Sequence, residues 1–467
     1  KFLGFSVAAA TVAACEAPVV KAVPYAVKPE DVTPGVANWY ASSYYDGETY
    51  ASIMVKTREG RPIHIKGNKN NGFTKGGTNA RIIGSVLSLY DGERLTAPQA
   101  GGAEASWSSV DKDIMNKLKA AANSGKKVVL LSNTVISPST REIIAEFKLS
   151  LGGGEPAVEP MAAAIAQGVA AVDSIAAANI AAVVPAVSDD SNIQHVQYDA
   201  VSYNGIREAN LESFGKRVIP DYDFTKAKTV VSIAADFFNS WVMPTQFMPD
   251  YLATRNPDGE WMSRLHQFES NMSITGSNAD ARTQIKPSEQ GKVAALLLKE
   301  VSGTSVAGVD TASLPEAVQN SVKAAAKELK ANKGESIVVA GSNRKSVQVI
   351  VNAINDALGN YASTINLNNP IELHMSEDAK MDALVKDMNA GKVGAIVMWD
   401  TNPAYSYKNA EGFKAGLAKV GTKVSMARYA DETASLCDYI APASHALEQW
   451  DDFNPKMNHY SLSQPTI

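Results

Sequence analysis

Residues 430–450, ADETASLCDYIAPASHALEQW, set Asp431, Glu432 and Thr433 ahead of a short apolar run, a proline and a His445–Glu448 pair. Side chains three apart meet on a helix, where a carboxylate can orient an imidazole for proton transfer. A hydrolase also needs a nucleophile. The hydroxyl at hand, Ser444, is adjacent in sequence to His445, and adjacent residues on a helix do not face one another, which argues against Ser-His-Glu chemistry. Asp431, Glu432 and Thr433 are residue types that cap and turn a chain at a strand edge.

Two further runs place polar groups at the ends of apolar strands. VVAGSN (338–343) leads through Gly341, Ser342 and Asn343 into a helix, the geometry in which open α/β folds present backbone N–H groups to phosphates. NMSITGSNADAR (271–282) repeats the Gly-Ser-Asn turn with Gly276 and Asn278, and adds Arg282 as a phosphate fork. Neither is a GxGxxG or a GxxxxGK[ST] motif, and each also reads as a simple turn or cap. WDTNPAY (399–405) is a third loop of this kind, so three strand-end loops would suit a long ligand laid across a sheet edge.

The metal-binding residue types are sparse. The six histidines show no HxH or HxxxH spacing, and the two cysteines, Cys15 and Cys437, fall short of the four that an iron–sulfur cluster takes. A formal charge of −5 supplies no basic stripe for a phosphate backbone, which excludes nucleic acid as a partner.

The elements that must position these loops read as α/β. With 467 residues, 45% of them apolar and 20% charged, the chain is globular and long enough for two to four folding units. KFLGFSVAAATVAAC has the shape of an export signal ending in a lipobox, making Cys15 a lipid-attachment candidate; proline-rich sequence to residue 37 reads as a tether. Residues 38–104 form a small β unit whose hairpin spans 53–56 and 62–66 about the turn REGR. A first α/β unit spans 105–240. It holds a helix with Val110, Ile114, Leu118 and Ala121 on one face and Gly125 as stop, the strand KKVVLLSN, and a helix capped by Ser137 with Pro138 at its first position. Its Ala-rich insertion, 152–187, carries no assigned chemistry. A connecting segment, 241–334, leads to a second α/β unit, 335–467. That unit opens with the strand SIVVAGSN and a helix bearing Val347, Ile350, Val351, Ile354 and Leu358, stopped by Gly359; VGAIVMW and KVSMARYAD are further strands.

Four runs, YADETASLCDYIAPASHALEQWDDF, MWDTNPAYS, VVAGSNRKSVQVIVNAINDALGNYASTI and RLHQFESNMSITGSNADAR, resemble in motif and order the large subunits of the molybdopterin oxidoreductase family. The likeness covers roughly residues 38–100 and 190–467, and is narrowest to the molybdopterin-like half of the B subunit of bacterial alternative complex III. It implies a multidomain fold with a small N-terminal β unit and two Rossmann-like units. The departures bear on function. Where family members carry cluster cysteines, this chain reads NWYASSYYDGETYASIMV and GGTNARIIGS, with Asn79 at the fourth ligand position, and no molybdenum ligand can be matched around YDAVSYNGIREAN.

The resemblance therefore implies a scaffold that kept the cradle and lost the cofactor, with no catalytic residue and no metal in this chain. Gly276, Asn278, Arg282, Gly341, Ser342, Asn343, Glu432, Thr433, His445 and Glu448 would be the vestigial pterin edge, with His445, Glu448 and Trp450 facing neighbouring domains. Fe–S clusters are expected in a following ferredoxin-like half and haem c in partner subunits. An integral-membrane quinol-binding subunit and cytochrome c subunits would be the partners. The assembly would sit on the periplasmic face of the inner membrane, exported by a twin-arginine signal and held through the N-terminus or its partners. Two other classes stay open: an active molybdopterin enzyme without the N-terminal cluster, and a two-lobed solute-binding lipoprotein.

Overall fold

The computed structural model describes residues 32–152 and 191–467; Cys15 and all but the first residue of the Ala-rich insertion lie outside them. Strands Ala37–Tyr45, Tyr50–Arg58 and Arg61–Gly67 pair antiparallel in that order. The expected hairpin is present and longer than expected. Its turn places Glu59 and Gly60 at φ of 52° and 77°, the left-handed pair that matches the twist of a two-residue hairpin. Helix Ala80–Ser88 covers the inner face, burying Ile82 and Val86 against Ala51, Ile53, Val55 and Ile65. Asn79, which the resemblance sets at a cluster-ligand position, caps this helix by accepting the Ile82 N–H at 3.0 Å.

Two parallel sheets form the α/β layers. The larger runs in the order 103–104, 99–100, 439–440, 422–425, 393–399, 127–132, 193–197, its last five strands parallel. The smaller is parallel throughout, in the order 281–284, 264–269, 229–233, 336–340. Their central strands, KVVLLS, VGAIVMW, TVVSI and SIVVA, are buried along almost their whole length, as continuous apolar runs covered by helices on both faces should be.

Sheet membership crosses the division read from the sequence. Strands 127–132 and 393–399 are direct neighbours although 266 residues (393 − 127) separate their starts, and the connecting segment 241–334 supplies two strands of the smaller sheet. A fourth, antiparallel sheet, in the order 459–463, 451–456, 365–371, 219–222, joins the layers over an aromatic core that includes Phe224, Phe237, Trp241, Phe247 and Tyr251.

Helix ends follow the local signals. Ser137 accepts the Thr140 N–H at 3.1 Å with Pro138 at the first position of helix Pro138–Ser150. Helix Lys345–Ala357 buries Val347, Val351 and Ile354, with Leu358 and Gly359 (φ 71°) closing it. Among the described residues no helix is long and apolar enough to cross a membrane.

The small β unit is seated on the rest of the chain with no space at Gly77, where an added Cβ would lie 1.9 Å from the Thr245 carbonyl oxygen. Gly77→Ala should cost about 1–3 kcal/mol, read as a lower urea midpoint. Gly84→Ala, in the open middle of helix Ala80–Ser88 with nothing within 4 Å of its Cβ, should raise it by about 0.5–1 kcal/mol.

Candidate functional site

The smaller parallel sheet brings two of the polar loops to one carboxyl edge. Gly341 follows strand Ser336–Ala340 and gives its N–H to Ile233 O at 2.9 Å. Its missing side chain lets Ala234 approach, since a Cβ there would sit 2.1 Å from the Ala234 carbonyl oxygen. Ala234 itself has φ of 58°. Ser342 Oγ accepts the Arg344 N–H at 3.3 Å, a local turn. Asn343 reaches further: Oδ1 accepts the Gly205 N–H at 2.7 Å and Nδ2 donates to Asp378 at 3.3 Å, tying together the first turns of helices Asn204–Phe214 and Asp378–Asn389.

Two strands across the sheet, strand Arg264–Glu269 ends in a buried carboxylate that the sequence reading missed. Glu269 accepts from Arg282 Nε at 2.6 Å, Ser273 Oγ at 2.6 Å, Ser273 N at 3.2 Å and Gln267 Nε2 at 3.1 Å. Burial pushes its pKa up, but these donors outweigh burial and hold the group ionised below the usual range. Gly276 exists to admit it, because a Cβ would fall 1.9 Å from Glu269 Oε1; the Gly276 N–H goes to Ser273 Oγ at 2.9 Å. Asn278 donates to Ile274 O at 2.8 Å, closing its own helical turn.

The larger sheet gathers the 399–405 and 431–436 loops. Thr433, fully buried, donates to Asn402 Oδ1 at 2.6 Å and accepts the Ala404 N–H at 3.0 Å, while Asn402 Nδ2 donates to the exposed Glu432 at 2.7 Å. Asp431 accepts the Thr433 and Ala434 N–H groups. Cys437 lies against Thr433 O, and burial pushes its thiol up to about 12, so it is not a poised thiolate. Asp400, at φ 48° and 3.7 Å from Arg428, is a further group at this edge, legible only as the acid of MWDTNP.

His445 and Glu448 make their contacts with the small β unit. The imidazole is buried against helix Ala80–Ser88, with Nε2 2.9 Å from Ser88 Oγ and 3.3 Å from Ser85 O, and Nδ1 accepting the Leu447 N–H at 3.1 Å. That pattern selects the neutral Nε2–H tautomer. Burial, then Arg428 and Arg94, push its pKa down to about 4. Glu448 does not orient the ring; it accepts the His445 backbone N–H at 2.7 Å and pairs bidentately with Arg94 at 2.7 and 3.1 Å. Ser444 lines an open cleft of about 510 Å³ beside Glu448, and no Ser-His-Glu relay is assembled. Trp450 is exposed.

The YDAVSYNGIREAN stretch enters the core. Asp199 accepts Thr134 N and Oγ1 at 2.8 and 2.7 Å, and the Tyr203 ring lies 4.6 Å from that of His374. His374 Nε2 lies 3.1 Å from the carbonyl of Val242, a β-branched residue at φ 55°. Arg207, nearly fully buried, donates to Met375 O and Ser376 O at 2.6 and 2.8 Å.

A pterin dinucleotide brings phosphates that need unspent N–H donors or cations. At the candidate edge the N–H groups of Gly205, Gly276 and Gly341 and the Arg282 Nε are all spent on protein acceptors, and Glu269 adds negative charge. The candidate residues do not fit that group in this arrangement. Among the described residues, no cluster of three or more His, Cys, Asp or Glu side chains has the geometry to hold a metal ion.

The architecture is molybdopterin-oxidoreductase-like. It is similar to acetylene hydratase from Pelobacter acetylenicus, with a TM-score of 0.61 and 14% identity over 91% of this chain and 66% of that one. In sequence, the chain is 22% identical to the menaquinone reductase molybdopterin-binding-like subunit of Nitratidesulfovibrio vulgaris, over 86% of this chain and 58% of that protein. It thus spans less than two thirds of either relative. No family model matches the sequence.

Two predictions follow from these contacts. Thr433→Val leaves Asn402 Oδ1 and the Ala404 N–H without their partner and should cost about 1–3 kcal/mol in urea unfolding. His195 is likewise held at about 4, by burial and then by nearby cations, against an ordinary value of 6.5. The unfolded chain therefore binds more protons than the folded one between about 6.5 and 4, and the stabilisation present above that window is lost as pH falls through it. The double variant H195Q/H445Q should show a flatter urea midpoint across that range than the native chain; an unchanged slope would exclude these histidines as its source.

Proposed function

We propose that the chain is a non-catalytic scaffold subunit, without pterin or metal of its own, in a membrane-bound respiratory complex that oxidises quinol on the periplasmic face. In that role it docks an iron–sulfur, ferredoxin-like domain beside an integral-membrane quinol-binding subunit and cytochrome c subunits. The clusters lie in that domain and haem c in the partners. The fold and the name borne by the Nitratidesulfovibrio relative support a place in quinone-linked electron transport. The observation that carries the non-catalytic part is the strand edge, where the Gly276 and Gly341 N–H groups and Arg282 Nε are spent within the protein. Asn79 as a helix cap, where a cluster ligand would stand, adds to it.

One observation favours the second reading, an active pterin enzyme. Among the described residues four buried polar atoms, Asn204 Oδ1, Arg207 Nε, His374 Nδ1 and Ser376 Oγ, have no partner, His374 being the one that meets the strained Val242, and a polar ligand there would satisfy them. Metal analysis of the assembly purified from membranes in mild detergent separates the two. Iron in several-fold excess with no molybdenum or tungsten is expected; one molybdenum or tungsten per chain would overturn the scaffold reading. Glu432→Gln, at the exposed edge, should leave quinol turnover per assembled complex unchanged.

A further inference from the structure

The outer face of the three-stranded sheet carries chemistry that the scaffold role does not use. Strand register sets Trp39 beside Lys56 and His64, with Lys66 in the next row and Arg58 directly opposite Arg61. The side chains confirm a shared face: Lys66 Nζ lies 3.9 Å and Lys56 Nζ 5.8 Å from the centre of the Trp39 ring, and His64 meets its edge at 6.4 Å.

Of the guanidinium groups on this face, Arg58 donates from Nη2 to Gly35 O at 3.1 Å. Among the described residues none of Lys56, Arg58, Arg61 and Lys66 has an ion-pair partner, whereas Asp46 and Glu48, at the sheet's other turn, are both held by Arg81. The remaining acid of the sheet, Glu59, sits at the hairpin tip and accepts the Gly35 N–H at 3.3 Å. Like charges directly across a strand pair are destabilising, so the Arg58–Arg61 pairing works against folding. A local arrangement that costs stability without internal compensation marks a working surface. It also runs against the chain's net charge of −5.

The geometry selects the partner. The cations are spread over a sheet surface, about 4.8 Å apart across strands and about 6.8 Å along them, a planar array and not a pocket for one small anion. Protein interfaces are depleted in lysine and centre on an apolar core. This face has two lysines and two arginines around the Trp39 indole. Of the unit's other exposed apolar side chains, Ile83 and Leu87 belong to the covering helix and Tyr90 follows it, while Ile63 lies at the irregularity in the third strand. An indole flanked by long cationic side chains suits the boundary between lipid headgroups and water.

We propose that the outer face of the 37–67 sheet docks on an anionic lipid headgroup surface. The inference is independent of the scaffold reading, since none of its residues belongs to the strand-edge loops. It is tested by co-sedimentation of the full chain with vesicles of phosphatidylcholine, alone and mixed with phosphatidylglycerol, at low and high salt. Binding should require phosphatidylglycerol and be lost at high salt. Each cation removed should weaken partitioning about fivefold, so K56Q/K66Q should lose roughly 25-fold. R58Q/R61Q should lose as much without a lower thermal midpoint, because it removes a like-charge pair, and this separates lost binding from misfolding. Absence of salt-sensitive binding by the native chain, or unchanged partitioning of both variants, would overturn the proposal.

Discussion

Every parallel strand ends where the chain must turn, and the N–H groups released there need acceptors; this requirement governs the whole structure. Here the chain supplies them. Glu269 fills the space above Gly276, Asn343 takes the Gly205 N–H, Ile233 takes the Gly341 N–H, and Asp431 takes two from its own loop. A buried carboxylate with four donors, as at Glu269, also rigidifies the loop that carries it.

The C-terminal segment binds the parts together. Leu447 packs in the core of the small β unit, Phe453 in the central aromatic core, and Gln464 bonds to the backbone of Ala41 and the hydroxyl of Ser42. His445 belongs to the same seam, its ring sealed against helix Ala80–Ser88 with a proton on Nε2. The pair that looked most like chemistry in the sequence is thus part of the joint between units, with Glu448 bracing the turn through Arg94.

Local structure was legible because its causes are local. The Glu59–Gly60 turn, the Ser137 cap with Pro138, and the stripe from Val347 to Leu358 ended by Gly359 each depend on residues within a few positions of one another. Sheet membership was not legible, since the pairing of strands 127–132 and 393–399 is decided by contacts across most of the chain. The same holds for the site. The loops at 276–282, 341–343 and 431–433 were visible as strand-end turns, but their partners lie on other elements: Asn343 meets Gly205 138 positions away, and Thr433 meets Asn402 across 31. Glu269 carried no signal of its own, because nothing in QFESNMS distinguishes a buried acid from an exposed one.

The interleaving of the larger sheet also has a temporal side. During synthesis, strand 127–132 can pair at once with 193–197, but its other edge stays open until 393–399 is made. At about 5–20 residues per second the 266-residue gap (393 − 127) corresponds to roughly 13–53 s. For that interval a strand with four consecutive apolar residues offers a free ladder of N–H and C=O groups to any other chain nearby. The vulnerable state of this protein is therefore its half-made one, and the cell must shield that edge until the second half of the sheet arrives.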